Sequence, residues 1–184
     1  MEFLPTKIPD VLIIKPIIHY DERGYFTESF RQDLLSEMIG GEINFIQDNE
    51  SKSSFGTLRG LHYQLPPFAQ SKLVRVIEGK VLDVCVDIRK SSPTFGQHVS
   101  VELSSDNNLQ LFVPKGFAHG FIVLSKSATF TYKVDNYYSP NHERGIAYDD
   151  IELSIDWKTS AEKINVSKKD DNNPSLSNSR ELFD

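Results

Sequence analysis

The sequence predicts an all-β domain of the sandwich, jelly-roll or small-barrel kind. Three observations carry this. Short runs of β-branched and aromatic residues, separated by turn signals, fill the middle of the chain. The composition has 12 Phe and 7 Tyr against a single Trp, which suits pleated surfaces. Only one stretch carries helical spacing.

In chain order the strand candidates are "VLIIKPIIH", "INFIQDNES", "SKLVRVIEGKVLDVCVDIR", "HVSVELS", "LQLFVP", "GFIVLS" and "ATFTYKV". Gly79-Lys80 divides the third run and predicts a tight hairpin between its halves. In the second half Leu82, Val84, Val86 and Ile88 alternate with Asp83, Cys85 and Asp87, the pattern of a strand with one face on a core. "RQDLLSEMIGG" predicts a helix, with Leu34, Leu35 and Met38 at helical spacing and Gly40-Gly41 as the stop. The segment from Trp157 onward is polar and irregular; its composition suits a disordered end, although "ELF" gives it something to dock with. No repeat, linker or low-complexity tract divides the chain, so residues 1–184 are expected to form one domain.

Cys85 is the only cysteine, and "MEFLPTKIPD" lacks the basic and apolar regions of a secretion signal, so a reducing cytoplasm is the expectation. No stretch approaches the roughly 20 apolar residues of a membrane helix. A formal charge of -6 argues against a general nucleic-acid or membrane binder and leaves room for a basic pocket that holds one phosphorylated ligand.

Particular residues go further. In "LRGLHYQ", strict alternation would point Arg59 and His62 apart, but Gly60 inside a strand often marks a bulge that re-aims a neighbour. A hydrogen-bonded structural histidine is the plainer reading of His62. In "VPKGFAHGF", Pro114, Gly116 and His119 make a turn that resembles the second motif of the cupins, a jelly-roll superfamily. Metal-bearing cupins pair that histidine with an earlier H-x-H, whereas "HYQ" offers one histidine where two are wanted. A tightly held transition metal needs about three or four ligands, so the sequence argues against a metal. Lys72 shares a face with Val74 and Val76, and so either snorkels at a strand end or lines a cavity. Tyr132 shares a face with Phe130 and Val134, with a core tyrosine as the alternative. A histidine, a lysine and a tyrosine in one apolar interior could move protons beside a carbonyl.

"DERGYFTESF", "QDNESKS", "LRGLHYQ", "VPKGFAHGF", "YSPNHERGI" and "SKKDDNNP" together resemble the dTDP-4-dehydrorhamnose 3,5-epimerases, from about Asp21 to Pro174. The resemblance implies a cupin-type jelly roll (double-stranded β-helix) with one or two short helices, working as a homodimer without metal or other cofactor. It implies inversion of carbons 3 and 5 of a dTDP-linked 4-keto-6-deoxyhexose, dTDP-4-dehydro-6-deoxyglucose, to dTDP-4-dehydrorhamnose, supplying rhamnose for surface glycans. By the same resemblance His62 is the base and Asp170 the carboxylate that orients it. Lys72 is the cation that stabilises the enolate oxygen, and Tyr132 the acid on the other face. Arg23 and Arg59 suit the diphosphate, and Glu28, Gln47 and Asn49 polar contacts to nucleotide or sugar. Tyr138 suits stacking on thymine, and His119, Glu143 and Lys168 complete the binding set. Lys168 departs from the acidic residue, and Tyr148 from the Trp, that are common in the family. Rival readings are a single-centre epimerase of another deoxysugar and a non-catalytic cupin that binds a nucleotide sugar.

Overall fold

A computed structural model describes residues 1–184. The strands are β1 (Glu2–Pro5), β2 (Leu12–Lys15), β3 (Ile18–Asp21), β4 (Gly24–Thr27), β5 (Gln47–Ser54), β6 (Leu58–Gln64), β7 (Lys72–Glu78), β8 (Lys80–Asp87), β9 (His98–Ser104), β10 (Gln110–Val113), β11 (Phe117–Val123), β12 (Ser127–Val134) and β13 (Glu143–Gly145), with one helix, α1 (Gln32–Ile39), between β4 and β5. A six-stranded sheet in the order β1-β2-β10-β7-β12-β5 faces a five-stranded sheet in the order β13-β6-β11-β8-β9, while β3 and β4 form a separate hairpin. This is the predicted jelly-roll architecture.

Alternation builds the layer between the sheets. Val74 and Val76 of β7, Leu111 and Val113 of β10 and Phe130 of β12 meet Val81 and Cys85 of β8 and Phe117 and Phe121 of β11. A second apolar layer lies on the outer face of the five-stranded sheet, where Leu82, Val84, Val86 and Ile88 pack against Ile146, Leu153, Trp157 and Leu176. β8 is therefore buried on both faces, not one as its alternation suggested, and Asp83 and Asp87 are fully buried carboxylates. Each is answered by a base: Asp83 by His119, and Asp87 by Arg89.

The segment after Trp157 is ordered because it is the cover of that second layer. Trp157 donates its indole N–H to the Tyr148 carbonyl (2.8 Å), Tyr63 donates to the Glu181 carbonyl (2.8 Å), and the Lys90 N–H reaches the Phe183 carbonyl (2.9 Å). Truncating the buried Trp157 leaves a large void, so Trp157→Ala is expected to cost about 3–5 kcal/mol, read as a shift of the urea midpoint.

The structure corrects the hairpin expected at Gly79-Lys80. β7 pairs with β10 and β12, and β8 with β9 and β11, so this turn carries the chain from one sheet to the other. Gly79 has φ +83°, and a Cβ there would collide with the Ser127 carbonyl oxygen. The glycine signals a tight corner, and a corner between sheets needs it as much as a hairpin does. The helix forms where expected, closed by Gly40 in the left-handed conformation, and it buries Leu35 against Leu12, Ile14, Leu73 and Phe112. Met38 lies exposed, so the apolar face of the helix is narrower than its spacing suggested.

Candidate active site

The walls of one cavity come from both sheets. Its volume is about 510 Å³, and its lining includes Arg59 and His62 of β6, His119 of β11, Lys72 of β7, Tyr132 of β12 and Asp170. Arg59 and His62 reach it together because β6 bulges. His119 lies opposite His62 and Phe121 opposite Arg59, so Gly60 and Leu61 together face Gly120. At Gly60 φ is +124°, and a Cβ would lie 2.6 Å from the Gly120 Cα and 2.7 Å from the His119 carbonyl oxygen. Only paired glycines allow so close a backbone approach, and the extra residue turns Arg59 to the same side as His62.

His62 Nε2 lies 2.6 Å from Asp170 Oδ1, and Asp170 Oδ2 accepts the Gly60 N–H at 3.3 Å. The carboxylate is set in a 3-10 turn, Asp170–Asn172, whose first N–H is bound by the Ser167 hydroxyl oxygen (3.1 Å). Burial would raise the Asp170 carboxyl, but His62, the Gly60 N–H and Lys169 outweigh it and hold its pKa below the ordinary carboxylate range. It is thus an anion at neutral pH, fit to accept the imidazole N–H and orient the ring.

Across the cavity, burial pulls the Lys72 ammonium down to about 8 against the opposing charges of Asp83 and Glu143. Burial also raises the Tyr132 phenol, with Arg59 opposing and Glu143 adding to the rise, so Tyr132 keeps its proton at neutral pH. Its ring is braced by Phe130, which stacks on Phe121 at 4.1 Å between centroids. His119 directs Nε2 at both oxygens of Asp83 (2.9 and 3.0 Å).

An adjoining cavity of about 220 Å³ shares His62, Lys72 and Tyr132 and is lined further by Gln47, Asn49, Tyr138 and Glu143. The Tyr138 hydroxyl donates to Glu143 Oε2 (2.7 Å), which also pairs with the Lys169 ammonium. Burial alone would raise the Glu143 carboxyl; those two hydrogen bonds and the His62 charge hold it low.

The structure thus gathers His62, Asp170, Lys72, Tyr132, Arg59, His119, Gln47, Asn49, Tyr138 and Glu143. It does not bring in Arg23, paired with Asp21 on the exposed β3–β4 turn, or Glu28, paired with Arg31 at 3.6 Å. Lys168 also lies off the lining, which carries its neighbour Lys169 instead. Sequence reasoning missed Asp83 and Lys169. A carboxylate in register with Val81 and Cys85 was the available signal for Asp83; nothing in "SKKDD" ranks Lys169 above Lys168 without the turn. No three His, Cys, Asp or Glu side chains cluster to hold a metal ion.

Comparison with known proteins identifies the family. The family model described as dTDP-4-dehydrorhamnose 3,5-epimerase matches residues 5–178. The dTDP-4-dehydrorhamnose 3,5-epimerase of Shigella flexneri is 57% identical over 157 residues, covering 85% of this chain and 87% of the relative. The crystal structure of dTDP-6-deoxy-D-glucose-3,5-epimerase from Legionella pneumophila, in complex with dTDP-4-keto-L-rhamnose, superposes with a TM-score of 0.95 at 47% identity, covering 99% of this chain and 97% of that one. A 3'-monoepimerase from Streptomyces bikiniensis, in complex with dTDP-quinovose, is more distant, with a TM-score of 0.86 at 32% identity over 94% of this chain and 87% of that one. By fold and sequence together, the chain belongs to the dTDP-4-dehydrorhamnose 3,5-epimerase family.

Proposed function

We propose that the protein inverts carbons 3 and 5 of dTDP-4-dehydro-6-deoxyglucose, with His62 as base and Tyr132 as acid. The observation that carries this is their position on facing sheets, one on each wall of a single cavity. A ring held between them loses a proton to one wall and gains one from the other, which is inversion. Both C–H bonds are acidic because they flank the carbon-4 ketone. His62 takes the proton, the electron pair moves to the ketone oxygen as an enolate, and Lys72 stabilises that charge. Tyr132 then gives its proton to the opposite face. Each event leaves the imidazole protonated and the phenol ionised, so water must reset both before the second centre reacts.

Arg59, which donates to the Ser53 hydroxyl at 3.2 and 3.1 Å, is the diphosphate contact, and Tyr138 the stacking platform for thymine. Gln47, Asn49, His119 and Glu143 supply polar contacts. Arg23 and Glu28 are assigned to the site of a second copy in a homodimer. Supporting this, the β3–β4 hairpin that carries Arg23 leaves Tyr20 74%, Tyr25 60% and Phe26 67% exposed, an apolar cluster suited to being covered. Lys168 has no such support and is the weakest member of the binding set. No helix is long and apolar enough to cross a membrane. We place the reaction in the cytoplasm, in the supply of dTDP-rhamnose for surface polysaccharides such as O-antigen.

The free-enzyme pH profile follows from Lys72. Its ammonium is complete below about 8 and lost above, so kcat/KM is expected to fall as pH rises through that value. A rate still flat at pH 9.5 would remove Lys72 from the enolate role. The activity itself is tested by incubating EDTA-treated protein with the 4-keto sugar nucleotide and trapping the product with a 4-ketoreductase. The rhamno product is expected; a product inverted at one carbon would assign a single-centre epimerase, and unchanged substrate with dTDP bound would assign a binding module.

A further inference from the structure

Besides His62–Asp170, the cavity is lined by a second histidine, His119, that is backed by a carboxylate, Asp83. Asp83 projects from β8 with no exposed surface, and its side chain makes no hydrogen bond except with His119 Nε2, at 2.9 and 3.0 Å to its two oxygens. No backbone N–H and no arginine shares it, unlike Asp87 four residues on, which Arg89, Ser92 and Thr94 surround. A buried carboxylate with one partner depends on that partner being a donor, so the His119 proton on Nε2 is fixed. The ring is fixed as well, lying near-parallel to Phe130 at 6.4 Å and 26°. His119 Nδ1 has no protein partner, yet it is not among the solvent-inaccessible atoms that lack one. It therefore opens on the cavity that His119 lines beside His62.

The geometry points to Asp83 as a positioning residue for the epimerisation: from behind the cavity wall it holds Nε2–H of His119 and so keeps Nδ1 free and aimed at the bound sugar nucleotide. The role rests on the proposed reaction and adds to it a residue that never touches substrate. The carboxylate acts as in other buried acid–histidine pairs, where an amide in its place permits the wrong ring tautomer.

The test combines kinetics with nitrogen-15 NMR of the histidines. Asp83→Asn keeps the side-chain shape and is expected to lower kcat about 10²-fold, the scale of losing one preorganised donor, while dTDP affinity changes less than about 3-fold. In a His119→Gln background, measured near pH 6.5 where the Lys72 ammonium is retained without the Asp83 charge, the same change should cost less than about 3-fold more, because the residue acts through His119. Full turnover of Asp83→Asn, or losses that multiply in the double variant, would overturn the assignment. Should the variant not fold, the wild type decides alone. A His119 signal protonated at Nε2, protected from exchange with water, is expected, and an Nδ1-protonated neutral ring would refute the proposal. The NMR result is independent of turnover, so a wild type without epimerase activity would sink the proposed reaction and leave the pairing itself still measured.

Discussion

His62→Ala is expected to lower turnover roughly 10²–10⁴-fold, the range for loss of a positioned general base, while leaving dTDP affinity within about 3-fold of wild type. The split follows from where the ring sits. In the proposed binding mode His62, tied to Asp170 at 2.6 Å, meets the sugar, while Arg59 and Tyr138 supply the nucleotide contacts. Its interaction strengthens only as it takes a proton and becomes an imidazolium against a carboxylate already held ionised. Steady-state kinetics and calorimetric titration with dTDP check this. A collapse of dTDP affinity would make His62 a structural residue of the bulge instead of the base.

Tyr132→Phe is expected to reduce inversion about 10²–10⁴-fold without abolishing hydrogen exchange at carbons 3 and 5. The substitution keeps the ring against Phe130 and removes only the hydroxyl. His62 can still remove a proton and return a solvent-derived one to the same face, so exchange persists while the opposite face receives nothing. Proton NMR in deuterium oxide reads exchange, and the reductase trap reads inversion. Undiminished product formation would take the acid's role from Tyr132, and the other proton donor bordering that cavity wall, Lys72, would be its successor.

The two walls were legible in the sequence to different degrees. Period-2 alternation placed Lys72 with Val74 and Val76, and Tyr132 with Phe130 and Val134, because one face of each strand had to meet the core. Gly60 signalled the bulge that turns Arg59 and His62 to one side. Asp170 lies 108 residues from His62, in an irregular segment with no periodicity, so only the family resemblance could nominate it. Asp83 was hidden by the assumption that alternating polar residues face water. That fails here because the apolar set of Leu82, Val84, Val86 and Ile88 is the outer face, covered by the segment carrying Trp157 and Leu176, so Asp83, in register with Val81 and Cys85, points between the sheets. Gly79 was read as a hairpin because glycine reports a tight backbone and not which sheet the chain enters next. Arg23 and Glu28 lie on an exposed arm, and in the proposed homodimer the surface that this arm covers is set by the second copy, which periodicity within one chain does not encode.

The central claim is that one cavity removes protons from both carbons flanking the ketone, with His62 as base. Proton NMR of dTDP-4-dehydro-6-deoxyglucose with EDTA-treated protein in deuterium oxide tests it most directly. Loss of the carbon-3 and carbon-5 proton signals with wild type, and their persistence with His62→Ala, is the predicted result. Persistence of both signals with wild-type protein that binds dTDP, or their equal loss with His62→Ala, would contradict it.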